Sequence, residues 1–382
     1  MWYLIKRIFF FIPTFIAITI IAFALNQKAP GDPIEKLVRG GYISEYNASE
    51  EQYRLDYIEA AKQLELDLPT FYVTISSIAY PTAYHNTIIP NDKQKMKEQI
   101  TQSVPVWKYL VPTIQWNGFD NQYHRWLIKV LRFDLGTSFA DGQPVSNRIL
   151  KAAKWTIIMN GLAILLAYGI SIWLGVWLAT TKRKRIASMG RVGLFILYSI
   201  PSFWTATLLV VFFTTPEYGI ALDLFPTMGL GNLPSEAPFW NRFWETSGHL
   251  LLPVFCLTYG ALAFITIQMR KSMQQEMGKQ YVLAARSRGF SERQIIWKHA
   301  FRNALFPMIT LFALILPALL TGSVVIEVIF SIPGMGLLTY DSILQDDWPV
   351  VYGVLVVIAV LTMLGNFLAD ILYALFDPKL RY

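Results

Sequence analysis

Six stretches of this 382-residue chain are apolar for about 20 residues each, the length a helix needs to cross a bilayer. They lie near Ile8–Leu25, Thr156–Thr180, Val192–Phe213, Leu250–Gln268, Phe306–Phe330 and Val350–Phe376. Composition agrees: charged residues are 15% of the chain, hydrophobic residues are 54%, and mean hydropathy is +0.39. Soluble domains carry roughly 25% charged residues. The sequence therefore predicts an all-α polytopic membrane protein with six transmembrane helices. The first apolar run follows Lys6-Arg7 and ends near Ala22-Phe-Ala24, which mimics a secretory signal. Its length exceeds a signal core, so a retained span is expected.

Loop charge orients the spans, because cytoplasmic loops collect Lys and Arg. Lys6 and Arg7 precede the first span; Lys182, Arg183, Lys184, Arg185 and Arg191 follow the second. The loop after the third carries four acids and only Arg242, and residues 331–349 carry Asp341, Asp346 and Asp347 without a Lys or Arg. Both termini are expected inside. The net charge of +7 is thereby explained by topology rather than by nucleic-acid binding. Cys256 is the single cysteine, which excludes a disulfide within the chain.

The longest basic loop follows the fourth span. Residues 269–305 hold eight Lys or Arg against Glu276 and Glu292. Met273, Met277 and Tyr281 recur every four residues, as one face of a helix does. Gly289 can end that helix in a left-handed turn, and Ser291 with Gln294 forms a capping box for the next. Helix, glycine turn and helix on the cytoplasmic side suggest a docking surface.

The run Tyr281-Val-Leu-Ala-Ala-Arg-Ser-Arg-Gly289, followed by His299-Ala-Phe-Arg-Asn-Ala-Leu305, resembles the coupling loop of bacterial ABC-transporter permeases of the dipeptide/oligopeptide/nickel importer branch. The spacing Ala284-Ala285-x-x-x-Gly289 is intact. Leu283 stands where the wider family has Glu, and Arg302-Asn303 stand near a Leu-Pro of other branches. The resemblance implies that Tyr281, Ala284, Ala285, Arg286, Arg288, Gly289 and Phe290 meet a cytoplasmic ATPase. It also implies a second permease subunit, two ATPase subunits that hold the ATP and Mg, and an extracytoplasmic substrate-binding protein. The chain would then be a peptide-class permease in the bacterial inner membrane, with lipid around it and no cofactor of its own.

Residues 26–155 form an enlarged extracytoplasmic segment between helices 1 and 2, leaving 1–25 as the first helix and 156–382 as a five-helix permease core. Ala29-Pro-Gly-Asp-Pro33, Leu66-Asp-Leu-Pro69, Tyr123-His-Arg-Trp126, Asp134-Leu-Gly-Thr-Ser138 and Pro144-Val145 resemble the family; residues 73–121 read as an insertion. Its aromatic residues suggest a folded element. It either caps the outer mouth or contacts the substrate-delivery protein.

Two motifs fall in the spans. Tyr198-Ser-Ile-Pro-Ser-Phe-Trp204 puts Pro201 in mid-span, where proline kinks a helix. Ser199, Pro201, Phe203 and Trp204 are candidates for the translocation path, against a reading as a packing kink. Glu327 is an acid in an apolar run, ahead of Pro333-Gly334-Met-Gly336. The resemblance gives Glu327, Pro333, Gly334 and Gly336 a structural or outer-gate role in preference to proton relay. Pairing Asn366 with Asp370, beside Tyr373 and the closing Asp377-Pro-Lys-Leu-Arg-Tyr382, reads as helix anchoring. His85, His124, His249 and His299 lack metal-ligand spacing. No phosphate-binding P-loop, Gly-x-Ser-x-Gly elbow or His-Glu-x-x-His pair occurs, so ATP hydrolysis is expected on other subunits. A proton-coupled secondary transporter would call for central membrane charges or repeated broken helices. A membrane-embedded enzyme would call for a catalytic cluster at one depth.

Overall fold

The computed structural model describes residues 2–28, 32, 34–35, 50–214, 224–226, 228–234 and 236–376. Most of Ala29–Pro33 and all of Asp377–Tyr382 lie outside the described residues. The chain divides into two compact units. One comprises Met1–Phe15, Asn147–Leu344 and Val354–Tyr382; the other comprises Ile16–Ser146 and Gln345–Gly353.

The second unit begins within helix α1 (Trp2–Asn26) and continues with α2 (Glu50–Gln63). Strand β1 (Val73–Ser77) then pairs antiparallel with β2 (Pro112–Trp116), in the register Ile75 opposite Ile114. Between the strands lie α3 (Thr82–Asn86), α4 (Pro90–Ser103) and α5 (Trp107–Leu110). This two-stranded sheet is an addition to an otherwise mostly helical chain, which the sequence reading did not include. Its cause is local, since Val73-Thr-Ile75 and Thr113-Ile114 are β-branched and favour extended backbone. The backbone N–H of Asn117 donates to the Tyr72 carbonyl at 2.8 Å, so the chain leaves this element where it entered.

After the sheet in sequence, α6 (Gln122–Leu131) is capped by Asn121, whose side chain accepts from the His124 N–H at 2.9 Å. Tyr123 is buried at the centre of an aromatic core. Its ring lies 4.9 Å from Phe71, 5.3 Å from Phe23 and 5.7 Å from Tyr72, and its hydroxyl shares a 2.9 Å hydrogen bond with Thr19. The motifs Asp134–Ser138 and Pro144-Val145 meet in a short bridge between Thr137 and Pro144. Asp347 is buried here, accepting from the Ser138 hydroxyl at 2.6 Å and the Phe139 N–H at 2.9 Å.

In the first unit, α7 (Val145–Thr180) and α10 (Phe239–Met277) are unbroken apolar helices, as is most of α17 (Trp348–Phe376). With α1, four helices among the described residues are long and apolar enough to cross a membrane by length and composition, or five if the bent pair described next is one span. The third apolar run departs from expectation. Instead of one kinked helix it forms α8 (Lys184–Ser199) and α9 (Ser202–Phe213), bent by 86°. Pro201 lacks an N–H and forces extended backbone at Ile200, which stops α8 outright. The fifth run also breaks. Helix α14 (Phe306–Thr321) ends at Gly322, whose φ is +77°, and α15 (Val324–Ile329) restarts after Ser323. A side chain at Gly322 would press on Glu327 and Thr156, so only glycine fits this reversal.

Met159 and Ala163 of α7, Ala206 and Val210 of α9, Leu252, Val254 and Cys256 of α10, and Ile326 of α15 share one buried core. A second core joins Val176, Ile265, Met269 and Met273 to the residues that follow α10. At about 1.5 Å per residue, the 39-residue α10 is about 58 Å long, far more than a ~30 Å hydrocarbon core. The helix therefore extends beyond the membrane.

Candidate functional site

The basic loop is fully folded. Helix α10 stops at Gly278 rather than running on to Tyr281, so the expected single face is divided between α10 and α11 (Gln280–Ser287). Met273, Met277 and Tyr281 still converge in one core, across the break. Glu276, a buried acid at the α10 terminus, holds the corner by accepting from Lys279 Nζ at 2.6 Å and the Tyr281 hydroxyl at 2.7 Å. Burial, then the Glu276 hydrogen bond, push the Tyr281 phenol above its usual range. The Tyr281 oxygen also accepts from Asn303 Nδ2 at 3.2 Å. Asn303, a departure from the pattern of other branches, thus ties the two limbs of the loop together.

Helix α11 closes with a Schellman turn. Phe290 N–H bonds the Ala285 carbonyl at 3.3 Å and Gly289 N–H bonds Arg286 at 3.0 Å, with φ +81° at Gly289. Ser291 and Gln294 form the expected capping box at α12 (Glu292–Gln294). The chain continues through a π-helical stretch, Ile295–Ala300, then α13 (Phe301–Ala304) and α14. Arg286 forms a two-pronged ion pair with Glu292, at 2.9 and 3.2 Å, across the turn.

The seven expected coupling residues divide by burial. Ala285 is buried with Val282 against Met269 and Met273, and half-buried Tyr281 packs on the same core. Ala284, Arg286, Arg288, Gly289 and Phe290 face outward with Leu283, which is 55% exposed. An exposed leucine beside an exposed phenylalanine, ringed by arginines, makes a compact surface that a protein groove can cover. The inner face shares one buried core with α7, α10 and α14.

The second expected site is a knot around Glu327, which is fully buried. Its Oε1 accepts from the Thr156 hydroxyl at 2.9 Å; its Oε2 accepts from Gly336 N–H at 2.6 Å and Leu337 N–H at 3.1 Å. Thr156 Oγ1 accepts in turn from Met335 N–H at 2.8 Å. The carboxylate thus caps the first turn of α16 (Met335–Leu344), where an anion is favoured. Gly334 and Gly336 let the backbone come this close. A Cβ at Gly334 would collide with Glu327 Oε2, and one at Gly336 would lie 2.6 Å from Val324 Cα. Pro333 sits within this reversal. Ser331, at φ +52°, starts it with a second Schellman turn, in which Ile332 N–H bonds the Glu327 carbonyl at 2.9 Å.

Of the third set, Ser199 is satisfied by its own helix, bonding Phe195 O at 2.8 Å. Phe203 and Trp204 are exposed on α9 beyond the Pro201 break. Tyr259 of α10, which sequence reasoning missed, donates to the freed Ile200 carbonyl at 2.9 Å and touches the Thr205 hydroxyl at 3.0 Å. Only its helical spacing toward α8 could have signalled this. Among the described residues no group of three or more His, Cys, Asp or Glu side chains could hold a metal. Asp370 is buried toward the C-terminal end of α17, whereas the side chain of Tyr373 lies outside the described set.

Residues 171–382, which include the folded loop and Glu327 with the turn it caps, match the binding-protein-dependent transport system inner membrane components. The chain belongs to that family. It is 32% identical over 381 residues to the oligopeptide transport system permease protein AppB of Bacillus subtilis, covering 100% of this chain and 99% of AppB. It is 31% identical over 392 residues to the inner membrane ABC transporter permease protein YejB of Escherichia coli O157:H7, covering 100% and 98%. With the metal-staphylopine import system permease protein CntB of Staphylococcus aureus it shares 32% identity over 268 residues, 69% of this chain and 80% of CntB. The protein is thus an inner-membrane permease component of an ABC transport system.

Proposed function

We propose that this permease is one translocation subunit of an ATP-driven importer for peptides or similar small solutes. Two full-length relatives support the substrate class: AppB is named for oligopeptide transport, and the YejB of Agrobacterium fabrum, 29% identical over 383 residues, for peptidoglycan transport. The single observation that carries the mechanism is the two-faced helix α11. Its inner side packs on the long helices, while its outer side presents Leu283 and Ala284, with Phe290 exposed just past its C-terminal turn.

In this reading a cytoplasmic ATPase subunit receives that outer face, and a second copy of the ATPase serves a second permease. ATP and Mg bind to the ATPases, not to this chain. Closure of the ATPase pair draws the two coupling elements together, and the cores built on α7, α10 and α14 rock as bodies. The chain crosses the membrane six times with both termini inside, each broken pair (α8–α9 and α14–α15) counting as one span. The Glu327 knot braces the outer gate, and substrate arrives from an extracytoplasmic binding protein. The test is reconstitution: proteoliposomes holding both permeases, the ATPases and the binding protein should take up peptide only with ATP. Uptake driven by a proton gradient without ATP would replace this reading with a secondary transporter.

A further inference from the structure

Three helices meet where α7 ends and α8 begins. A Cβ at Gly175 of α7 would lie 2.7 Å from the Met269 Cβ of α10, and one at Gly190 of α8 would lie 2.6 Å from Leu178. Leu178, Leu194 and Ala263 fill the space between them, and Tyr198 stacks on Phe264 at 6.4 Å. Beside this close-packed junction stand Arg191 of α8, one turn before Leu194, and Arg270 of α10, two turns past Ala263; burial, then the charge of Arg191, lower the pKa of the Arg270 guanidinium.

Neither guanidinium has an ion-pair or hydrogen-bond partner among the described residues, and Arg270 Nε is buried without one. The sequence offers no remedy nearby. It contains no Asp or Glu between Asp141 and Glu217, and none between Glu245 and Glu276. The two acids of the adjoining loop are engaged, Glu276 by Lys279 and Tyr281, Glu292 by Arg286. The shielded Arg270 Nε lacks an acceptor within the chain, and an anion from outside that also met the exposed Arg191 would relieve the like-charge repulsion.

We propose that Arg191 and Arg270 bind the phosphate of an anionic phospholipid. Two planar guanidiniums match the oxygens of one phosphodiester, as two ammonium groups would not. Depth favours lipid over a protein carboxylate. Arg270 stands two residues past the apolar run Leu250–Gln268, at the level where headgroups lie. Met189, Val192 and Phe195 are exposed on the same helix as Arg191 and offer apolar surface to an acyl chain. Basic pockets between membrane helices bind acidic headgroups in this way. The site holds the α7–α8–α10 junction together, next to the core that carries the coupling element.

The test is native mass spectrometry of the full chain in neutral detergent, titrated with phosphatidylglycerol or with phosphatidylcholine of the same acyl chains. The wild-type chain should retain phosphatidylglycerol preferentially, and Arg191→Gln should lower that preference by about fivefold. Arg191→Gln/Arg270→Gln should abolish it, and Arg191→Lys/Arg270→Lys should keep part of it. Arg191 is exposed, so its single variant decides the matter if the double variant does not fold. Lys182→Gln/Arg183→Gln, on the neighbouring loop, should leave most of the preference. Equal loss there would reduce the site to diffuse charge and overturn it. Excess inorganic phosphate should not displace the lipid; displacement would make the site one for free phosphate. Unchanged lipid retention in the double variant, together with weaker ATPase co-purification, would assign the arginines to a protein partner instead.

Discussion

Replacing Glu327 with Ala should destabilise the permease core by several kcal/mol, because one side chain holds three separate donors. The carboxylate is fully buried and satisfies two backbone N–H groups and the Thr156 hydroxyl. A buried donor left unpaired costs roughly 1–3 kcal/mol, so the Gly336 and Leu337 N–H groups alone put the loss at about 2–6 kcal/mol. Glu327→Gln keeps the shape and one acceptor oxygen but turns its NH2 toward a donor, at a cost of roughly 1–3 kcal/mol. Thermal unfolding of the purified chain, followed by loss of monodisperse protein on heating, should rank wild type above Gln above Ala. At a temperature where Glu327→Gln remains folded, uptake should persist at reduced rate, because the residue holds a turn and passes no proton. A Glu327→Ala chain as heat-resistant as wild type would refute the knot. A fully stable Glu327→Gln chain with no uptake at all would refute its structural role in favour of proton relay.

Gly289→Val places a β-branched residue at φ +81°, in open space, so the chain should fold while the turn geometry and peptide uptake are lost; normal uptake would remove the turn from the coupling element. Ala284→Asp, on the outer face, should block uptake at normal membrane levels, whereas Ala285→Asp buries a charge against Met269 and Met273 and should lower the level of folded protein itself. Cysteines at Ser188 and Lys279 should resist a membrane-impermeant maleimide in whole cells, and cysteines at Asn86 and Asp346 should react; labelling at Lys279 would invert the orientation. Excising 73–116 and joining Tyr72 to Asn117 should leave membrane insertion and subunit assembly intact, because those residues are already hydrogen-bonded at 2.8 Å. Lost uptake at low substrate would then mark the excised element as a contact for the binding protein.

The turns of the basic loop after α10 were the most legible part of the chain, because their signals are local. Gly289 and the Ser291–Gln294 pair each specify a backbone geometry within a few residues, and the structure forms both turns. Burial within the element was not legible. Ala284 and Ala285 are equivalent as letters, and only the packing of Met269 and Met273 decides which one points inward. Apolar length found the membrane runs but could not tell a kink from a break. At Pro201 the difference rests on Tyr259 of a different helix, whose hydroxyl satisfies the exposed Ile200 carbonyl and makes the break tolerable. The partners of Glu327 were hidden for the same reason, since Thr156 lies in α7. The β1–β2 pair was missed because five-residue strands leave little periodicity among aromatic residues and prolines.

The coupling scheme stands or falls on the placement of α11, with its outer face in a groove of the ATPase and its inner face in the membrane core. The direct measurement is site-specific photocrosslinking in the assembled transporter, with a photoreactive side chain placed in turn at Leu283, Ala284, Val282 and Ile295. Crosslinks to the ATPase subunit are expected from Leu283 and Ala284, stronger with ATP bound, and only within this chain from the buried Val282 and Ile295. Equal crosslinking from all four, or none to the ATPase from Leu283, would contradict that placement.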